Sequence, residues 1–122
     1  LLLVDDEPDL RNTIARYLNK NGYVVTEAAD GAQALEILES AKHPFLAIVT
    51  DNNMPRLTGL DLLRALPEKS IKIPIKILVT GRILFEKDIQ KLSTEYGTYL
   101  LRKPFDRADL LQALRDFEGQ LP

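Results

Sequence analysis

Asp5, Asp6, Asp51, Thr80 and Lys103 are the residues of this 122-residue chain whose types and settings could do chemistry together. Asp5, Asp51 and Thr80 each close a short run rich in apolar residues, and Lys103 comes just after another. Carboxylates gathered in one place repel one another, and their pKa values rise unless a cation sits among them. A hard divalent cation with oxygen ligands meets that need, and Mg2+ suits a site that also keeps waters and a phosphate oxygen. An ammonium adds a point charge able to hold a phosphoryl oxygen, and a hydroxyl can donate a hydrogen bond to another. In such company a carboxylate can itself be the nucleophile and form an acyl phosphate. Metal and ammonium then neutralise the oxygens of the transferring group.

These residues converge only if the elements before them are parallel strands. Phe45 to Val49 is an unbroken apolar run, too short for most helices, and leads through Thr50 to Asp51. It reads as a strand buried on both faces, the kind found inside a parallel sheet. Leu1–Val4 is a similar run that stops at Asp5-Asp6-Glu7-Pro8, with Pro8 suited to a first helical turn. Leu10, Ile14, Tyr17 and Leu18 then mark one face of a helix closed by Asn21-Gly22. Tyr23–Thr26 reads as the second strand, and Ala34, Leu35, Leu38 and Ala41 as a helix entered through Asp30-Gly31.

After Asp51 a loop with Pro55 and Gly59 leads to a leucine-rich helix over Leu60–Leu66 and a polar connection from Pro67 to Pro74. Ile75–Thr80 is the fourth strand. Phe85, Ile89, Leu92 and Tyr96 mark a fourth helix, Tyr99-Leu100-Leu101 a fifth strand, and Asp106–Phe117 the last helix, capped by Asp106. Five strand–helix units without an internal boundary predict a single α/β domain over residues 1–122, its parallel sheet covered by helices on both faces. Every strand then brings its C-terminal end to one edge, where open α/β folds bind ligands. Glu27 reaches the same edge from the second strand.

Composition narrows the class of function. The net charge of −2 gives no electrostatic reason to expect nucleic acid or an anionic membrane as partner. The chain has no cysteine and a single histidine, His43, which excludes thiol chemistry and a His-rich zinc site. No apolar run approaches the length of a membrane span and no signal peptide is present, so the expectation is a cytoplasmic domain. Because the chain starts inside a strand and without Met, it is expected to be cut from a longer one.

Val4-Asp5-Asp6-Glu7-Pro8, Asp51-Asn52-Asn53-Met54-Pro55 with Gly59, Val79-Thr80-Gly81 and Lys103-Pro104-Phe105 together resemble the receiver domains of two-component response regulators, the CheY-like family. The likeness covers essentially the whole chain, and four motifs in register are far more specific than any one. It implies a flavodoxin-like, doubly wound sheet of order 2-1-3-4-5. It implies that Asp51 accepts a phosphoryl group from a histidine of a sensor kinase or phosphotransferase, with Thr80 and Lys103 engaging the phosphoryl oxygens. It also implies Mg2+ held by Asp5, Asp6, Asp51 and the main-chain carbonyl of Asn53, and a cis Lys103-Pro104 bond. The regulated surface would be formed by the fourth helix, fifth strand and last helix, acting on a partner, an output domain or a second copy.

Each motif also has a plain reading. Asp5-Asp6 could simply favour a helix N-terminus, Asp51 could start an Asx turn, and Lys103 could guard a sheet edge. Lys69, Lys72 and Lys76 read as a solvated stretch. The chain departs from the family pattern where an aromatic residue usually stands three positions before the strand-five lysine. That position holds Leu100, and Tyr99, one step earlier, faces the opposite way in a regular strand, so either a bulge restores Tyr99 to that position or the aromatic is missing from it, the second being the expectation. Asn52 is polar where an apolar residue is commoner, Gly81 replaces a small alanine, and Asn53 and Arg82 flank the entrance. Two other functions compete. A degenerate receiver would serve only as a binding surface. A phosphohydrolase of the haloacid-dehalogenase kind would want a second Asp two residues after its nucleophile, where this chain has Asn53.

Overall fold

Leu2–Val4 (β1), Thr26–Ala28 (β2), Ala47–Asp51 (β3), Ile75–Thr80 (β4) and Thr98–Arg102 (β5) form one parallel sheet in the order β2-β1-β3-β4-β5. This is the flavodoxin-like order expected from the motifs. The computed structural model describes residues 1–41, 44–81, 90–91, 94 and 97–122. The expected fourth helix over Phe85, Ile89, Leu92 and Tyr96, and the residues His43 and Arg82, lie outside the described residues.

Among the described residues the sheet is covered by α1 (Pro8–Lys20), α2 (Gly31–Ser40), α3 (Gly59–Glu68) and a C-terminal helix, Arg107–Gly119. Strand alternation sends Leu3, Val49, Ile77 and Val79 against Ile14 and Leu18 of α1 and Leu110 and Leu114 of the C-terminal helix. Leu2, Val4, Ile48 and Leu78 pack on the other face, with Ala34 and Leu38 of α2 and Leu62 and Leu66 of α3. All five residues of β3 are buried, as a central strand covered on both sides requires. The chain reverses direction across the sheet between β1 and β3, so a crevice opens beyond their C-terminal ends.

Local chemistry sets the helix ends. Pro8 occupies the first turn of α1, and Gly22 follows its end at φ +98°, a left-handed conformation that glycine adopts without strain. The Asp30 carboxylate accepts from the Gln33 N–H at the start of α2. Thr58 and Asp61 form a reciprocal capping box at the start of α3.

Several boundaries shift by one or two residues, and three of them, with one surface, differ in ways that have a physical cause. The second strand begins at Thr26, not Tyr23. The Tyr23 N–H donates back to the Leu18 carbonyl and the Val25 N–H to the Asn19 side chain, while the Val24 carbonyl still accepts from the Leu1 nitrogen at 2.9 Å and the Val24 side chain is 84% exposed. The third strand starts at Ala47, two residues after Phe45. The third helix runs on through Pro67 to Glu68, because the amides of Lys69, Ser70 and Ile71 close onto the carbonyls of Ala65, Leu66 and Pro67 while Leu66 stays in the core. Lys76 is half-buried, not solvated. Its ammonium donates to the Ile73 carbonyl at 3.1 Å, and burial lowers its pKa.

Two stability predictions follow from this packing. Gly59 lies so close to β3 that an added Cβ would overlap the Asp51 carbonyl oxygen and crowd Leu78. Gly59→Ala is expected to cost about 1–3 kcal/mol in urea unfolding through forced displacement of backbone. The Tyr23 hydroxyl donates to Glu118 Oε1 at 2.9 Å, joining the loop after α1 to the C-terminal helix. Burial, then the Glu118 carboxylate, pushes the phenol up to about 12. The folded state therefore favours the neutral phenol. That stabilisation is complete below the ordinary tyrosine pKa of about 10 and is lost as pH rises through the folded value. The melting temperature of Tyr23→Phe is expected to fall less steeply than that of the unsubstituted protein over this alkaline range.

Candidate functional site

β1 and β3 are adjacent, and each delivers a carboxylate at its C-terminal end. Val4 pairs with Thr50, so Asp5 and Asp51 stand at the next level of the sheet. Both are buried, at 5% and 4% exposure, while Asp6 is exposed. Oxygen atoms of Asp5, Asp6 and Asp51 lie within 4.8 Å of one another. Lys103 Nζ is 3.4 Å from Asp51 Oδ2, while the other oxygen, Oδ1, accepts from the Asn53 N–H at 3.3 Å. Asp5 Oδ1 accepts from the Glu7 N–H at 2.9 Å.

β4 and β5 bring the remaining residues. Thr80 ends β4 and is 1% exposed. The Lys103 N–H donates to the Thr80 carbonyl at 2.9 Å, which extends the ladder one residue past β5 and sets the lysine beside the threonine. The Lys103-Pro104 bond is cis, as the motif implies. Gly81 leaves ordinary van der Waals distance to the Lys103 side chain.

The Asp5 carboxyl is pushed above the usual carboxylate range, first by burial and then by the charges of Asp51 and Asp6. The Glu7 N–H and Lys103 oppose the rise. Among the described residues, three carboxylates with one ammonium beside them leave negative charge uncompensated at close range. The donor set is all oxygen, and it fits a hard divalent cation of the Mg2+ type.

Several features at this edge had no clear signal in the sequence. The Arg11 guanidinium donates to the Asp5 carbonyl at 2.7 Å and to Glu27 Oε1 at 3.0 Å, so Glu27 is engaged in an ion pair beside the cluster. Asn52 is polar because its side-chain oxygen accepts from the Leu60 N–H, an otherwise unpartnered donor in the first turn of α3. A cavity of about 610 Å3 opens beside the carboxylates and is walled by Leu10, Thr13, Pro104, Phe105 and Arg107. A larger one, about 790 Å3, lies by Phe45, Leu66 and Ile71, away from the aspartates. Chemistry, not volume, marks the site.

The pairing of β4 with β5 runs without interruption from Lys76–Thr98 to Thr80–Arg102. No bulge therefore brings Tyr99 round to the side of Leu100. Tyr99 packs edge-on against Phe117 of the C-terminal helix, with ring centroids 5.2 Å apart, and Leu100 joins the opposite core.

Residues 1–115 match the model of the response regulator receiver domain. The chain belongs to that family. It is 37% identical over 115 residues to the response regulator MprA of Mycobacterium ulcerans, a match that covers 94% of this chain and 48% of that protein. The receiver domain thus spans about half the length of the curated relatives it matches. Among solved structures, the receiver domain of the Francisella response regulator 1452 superposes with a TM-score of 0.83 at 28% identity, covering 98% of this chain and 95% of that one. The Vibrio cholerae chemotaxis protein CheY4 does so at 0.80 and 32%, with 95% of each chain covered.

The raised pKa of Asp5 carries a sign for stability. A carboxyl that holds its proton more tightly when folded costs stability once ionised, so its contribution falls as pH rises through the folded pKa. Without divalent cation, Asp5→Asn in this receiver domain is expected to melt a few degrees higher than the unsubstituted protein at neutral pH. The gap should close as the pH is lowered and Asp5 becomes protonated, as read by thermal unfolding across pH.

Proposed function

We propose that Asp51 is the phosphoacceptor of a two-component phosphorelay, taking its phosphoryl group from a histidine of a sensor kinase or histidine phosphotransferase. The observation that carries this reading is the buried Asp51 carboxylate, set among two further aspartates with the Lys103 ammonium 3.4 Å away. An Asp51 oxygen attacks phosphorus, an O–P bond forms as the N–P bond breaks, and the imidazole nitrogen leaves with the electron pair. The Lys103 ammonium pairs with the phosphoryl oxygens, and the Thr80 hydroxyl donates to one of them. Asp5, Asp6, Asp51 and the Asn53 carbonyl would hold Mg2+, which when bound supplies charge neutralisation for the transferring group. Burial of Asp51 keeps the nucleophile poorly hydrated, so these fixed partners act at low local dielectric.

The consequence of phosphorylation is read at the surface of β5 and the C-terminal helix, with the helix expected between β4 and β5, toward a partner, an output region or a second copy in the cytoplasm. Relatives about twice as long as this chain support an attached output region. A binding-only receiver is the second reading, favoured by Leu100 standing where an aromatic residue is usual.

Incubation with acetyl phosphate and Mg2+, followed by intact mass measurement, separates these readings. One labile phosphoryl adduct is expected, absent from Asp51→Asn and abolished by chelation of the metal. An adduct that survives in Asp51→Asn removes that residue as acceptor, and none in the unsubstituted protein leaves the binding-only reading. Mg2+ alone should raise the melting temperature, by linkage to the folded state.

A further inference from the structure

We propose that Arg11 is a positioning residue for the cation site, and that it acts by pinning the main chain between Asp5 and Asp6. The inference rests on the Mg2+ reading above. The sheet holds this segment only as far as the Asp5 N–H, which donates to the Ala28 carbonyl of β2 at 3.1 Å. Beyond it, β1 has ended, and the Asp5 carbonyl belongs to the peptide from which Asp6 hangs. Rotation of that peptide would swing the exposed Asp6 carboxylate away from Asp5 and Asp51.

Arg11 restrains this rotation. One guanidinium nitrogen donates to the Asp5 carbonyl at 2.7 Å and another, Nε, to Glu27 Oε1 at 3.0 Å. The side chain is 15% exposed, so it is held between its partners. Its own N–H donates to the Glu7 carbonyl at 2.9 Å, fastening the clamp to the far end of the same loop. Asp5 is thus gripped at its N–H by β2, at its carboxylate by Glu7 and at its carbonyl by a cation anchored on β2. The planar fork of a guanidinium can serve a carbonyl and a carboxylate in fixed directions at once, which the point charge of a lysine does not reproduce. The pairing also occupies Glu27, a fourth carboxylate near this edge.

A clamp and a mere charge predict opposite results. If Arg11 acted only as a nearby positive charge, its removal would make the site more negative and tighten cation binding, and Arg11→Lys would change nothing. If it positions the loop, both Arg11→Lys and Arg11→Gln weaken binding. Partners of this outer kind are worth roughly 10- to 100-fold in metal affinity.

The test is a calorimetric Mg2+ titration of the unsubstituted chain, Arg11→Lys, Arg11→Gln and Glu27→Gln, with metal-free melting temperatures and rates of labelling by acetyl phosphate. Both Arg11 variants are expected to need about tenfold more Mg2+ for half-saturation. Their labelling should be slowed at low Mg2+ and recover when Mg2+ saturates. Glu27→Gln keeps an acceptor oxygen for Nε and should bind within about threefold of the unsubstituted chain. An Arg11→Lys midpoint unchanged, an Arg11→Gln midpoint tightened, or a lower metal-free melting temperature with an unchanged midpoint would each overturn the positioning role. Absence of Mg2+ binding in the unsubstituted chain would remove the cation reading itself, and the clamp with it.

Discussion

Asp5 and Asp51 are both almost fully buried at the ends of neighbouring parallel strands, with Asp6 within 4.8 Å and the Lys103 ammonium against Asp51. Such a group of charges opposes folding unless the surroundings compensate it. Much of the local architecture does so. The amides of Glu7 and Asn53 donate to the two buried carboxylates, and the ladder between Thr80 and Lys103 brings the ammonium in from a strand two places away. Even the close approach of Gly59 to the Asp51 carbonyl serves this edge, since it lets α3 begin directly beneath the loop that carries Asn52 and Asn53.

The same sheet geometry governs how a change at the site could reach the surface. β5 is regular, so its side chains alternate strictly between the two cores. Leu100 faces the core that contains Leu78, while Tyr99 lies on the side of Phe117 and is 41% exposed. An aliphatic side chain thus occupies the place where the family pattern usually has an aromatic one. It has no hydroxyl and no ring to exchange between buried and exposed positions. The exposed edge of Tyr99 belongs to a different surface, shared with the C-terminal helix.

Much of this was legible beforehand. Unbroken apolar runs located β1, β3 and β4, 3.6-residue spacing located the described helices, and both signals are local. Asp5, Asp6, Asp51, Thr80 and Lys103 could be assigned to one edge because parallel strands all end there. The misplaced boundaries have equally local causes seen only in three dimensions. Tyr23–Val25 has the composition of a strand, yet its Tyr23 and Val25 amides turn to the end of α1 and the Val24 carbonyl alone meets Leu1. Pro67 has the signature of a helix stop, yet the burial of Leu66 carries the last turn past it. Lys76 reads as solvated by type but is drawn in by the Ile73 carbonyl.

The sequence by itself therefore determined the family, the fold and the set of residues at the rim, because periodicity and motif spacing report on backbone direction and strand ends. Only the tertiary structure decided which groups touch. Arg11 meets Glu27 across 16 positions, Tyr23 meets Glu118 across 95, and Asn52 turns its amide toward Leu60. Such contacts depend on the relative placement of elements and on side-chain reach, neither of which has a period in the chain. Around the carboxylates that difference matters most, since their identities are written in the motifs while their restraint comes from residues the motifs do not contain.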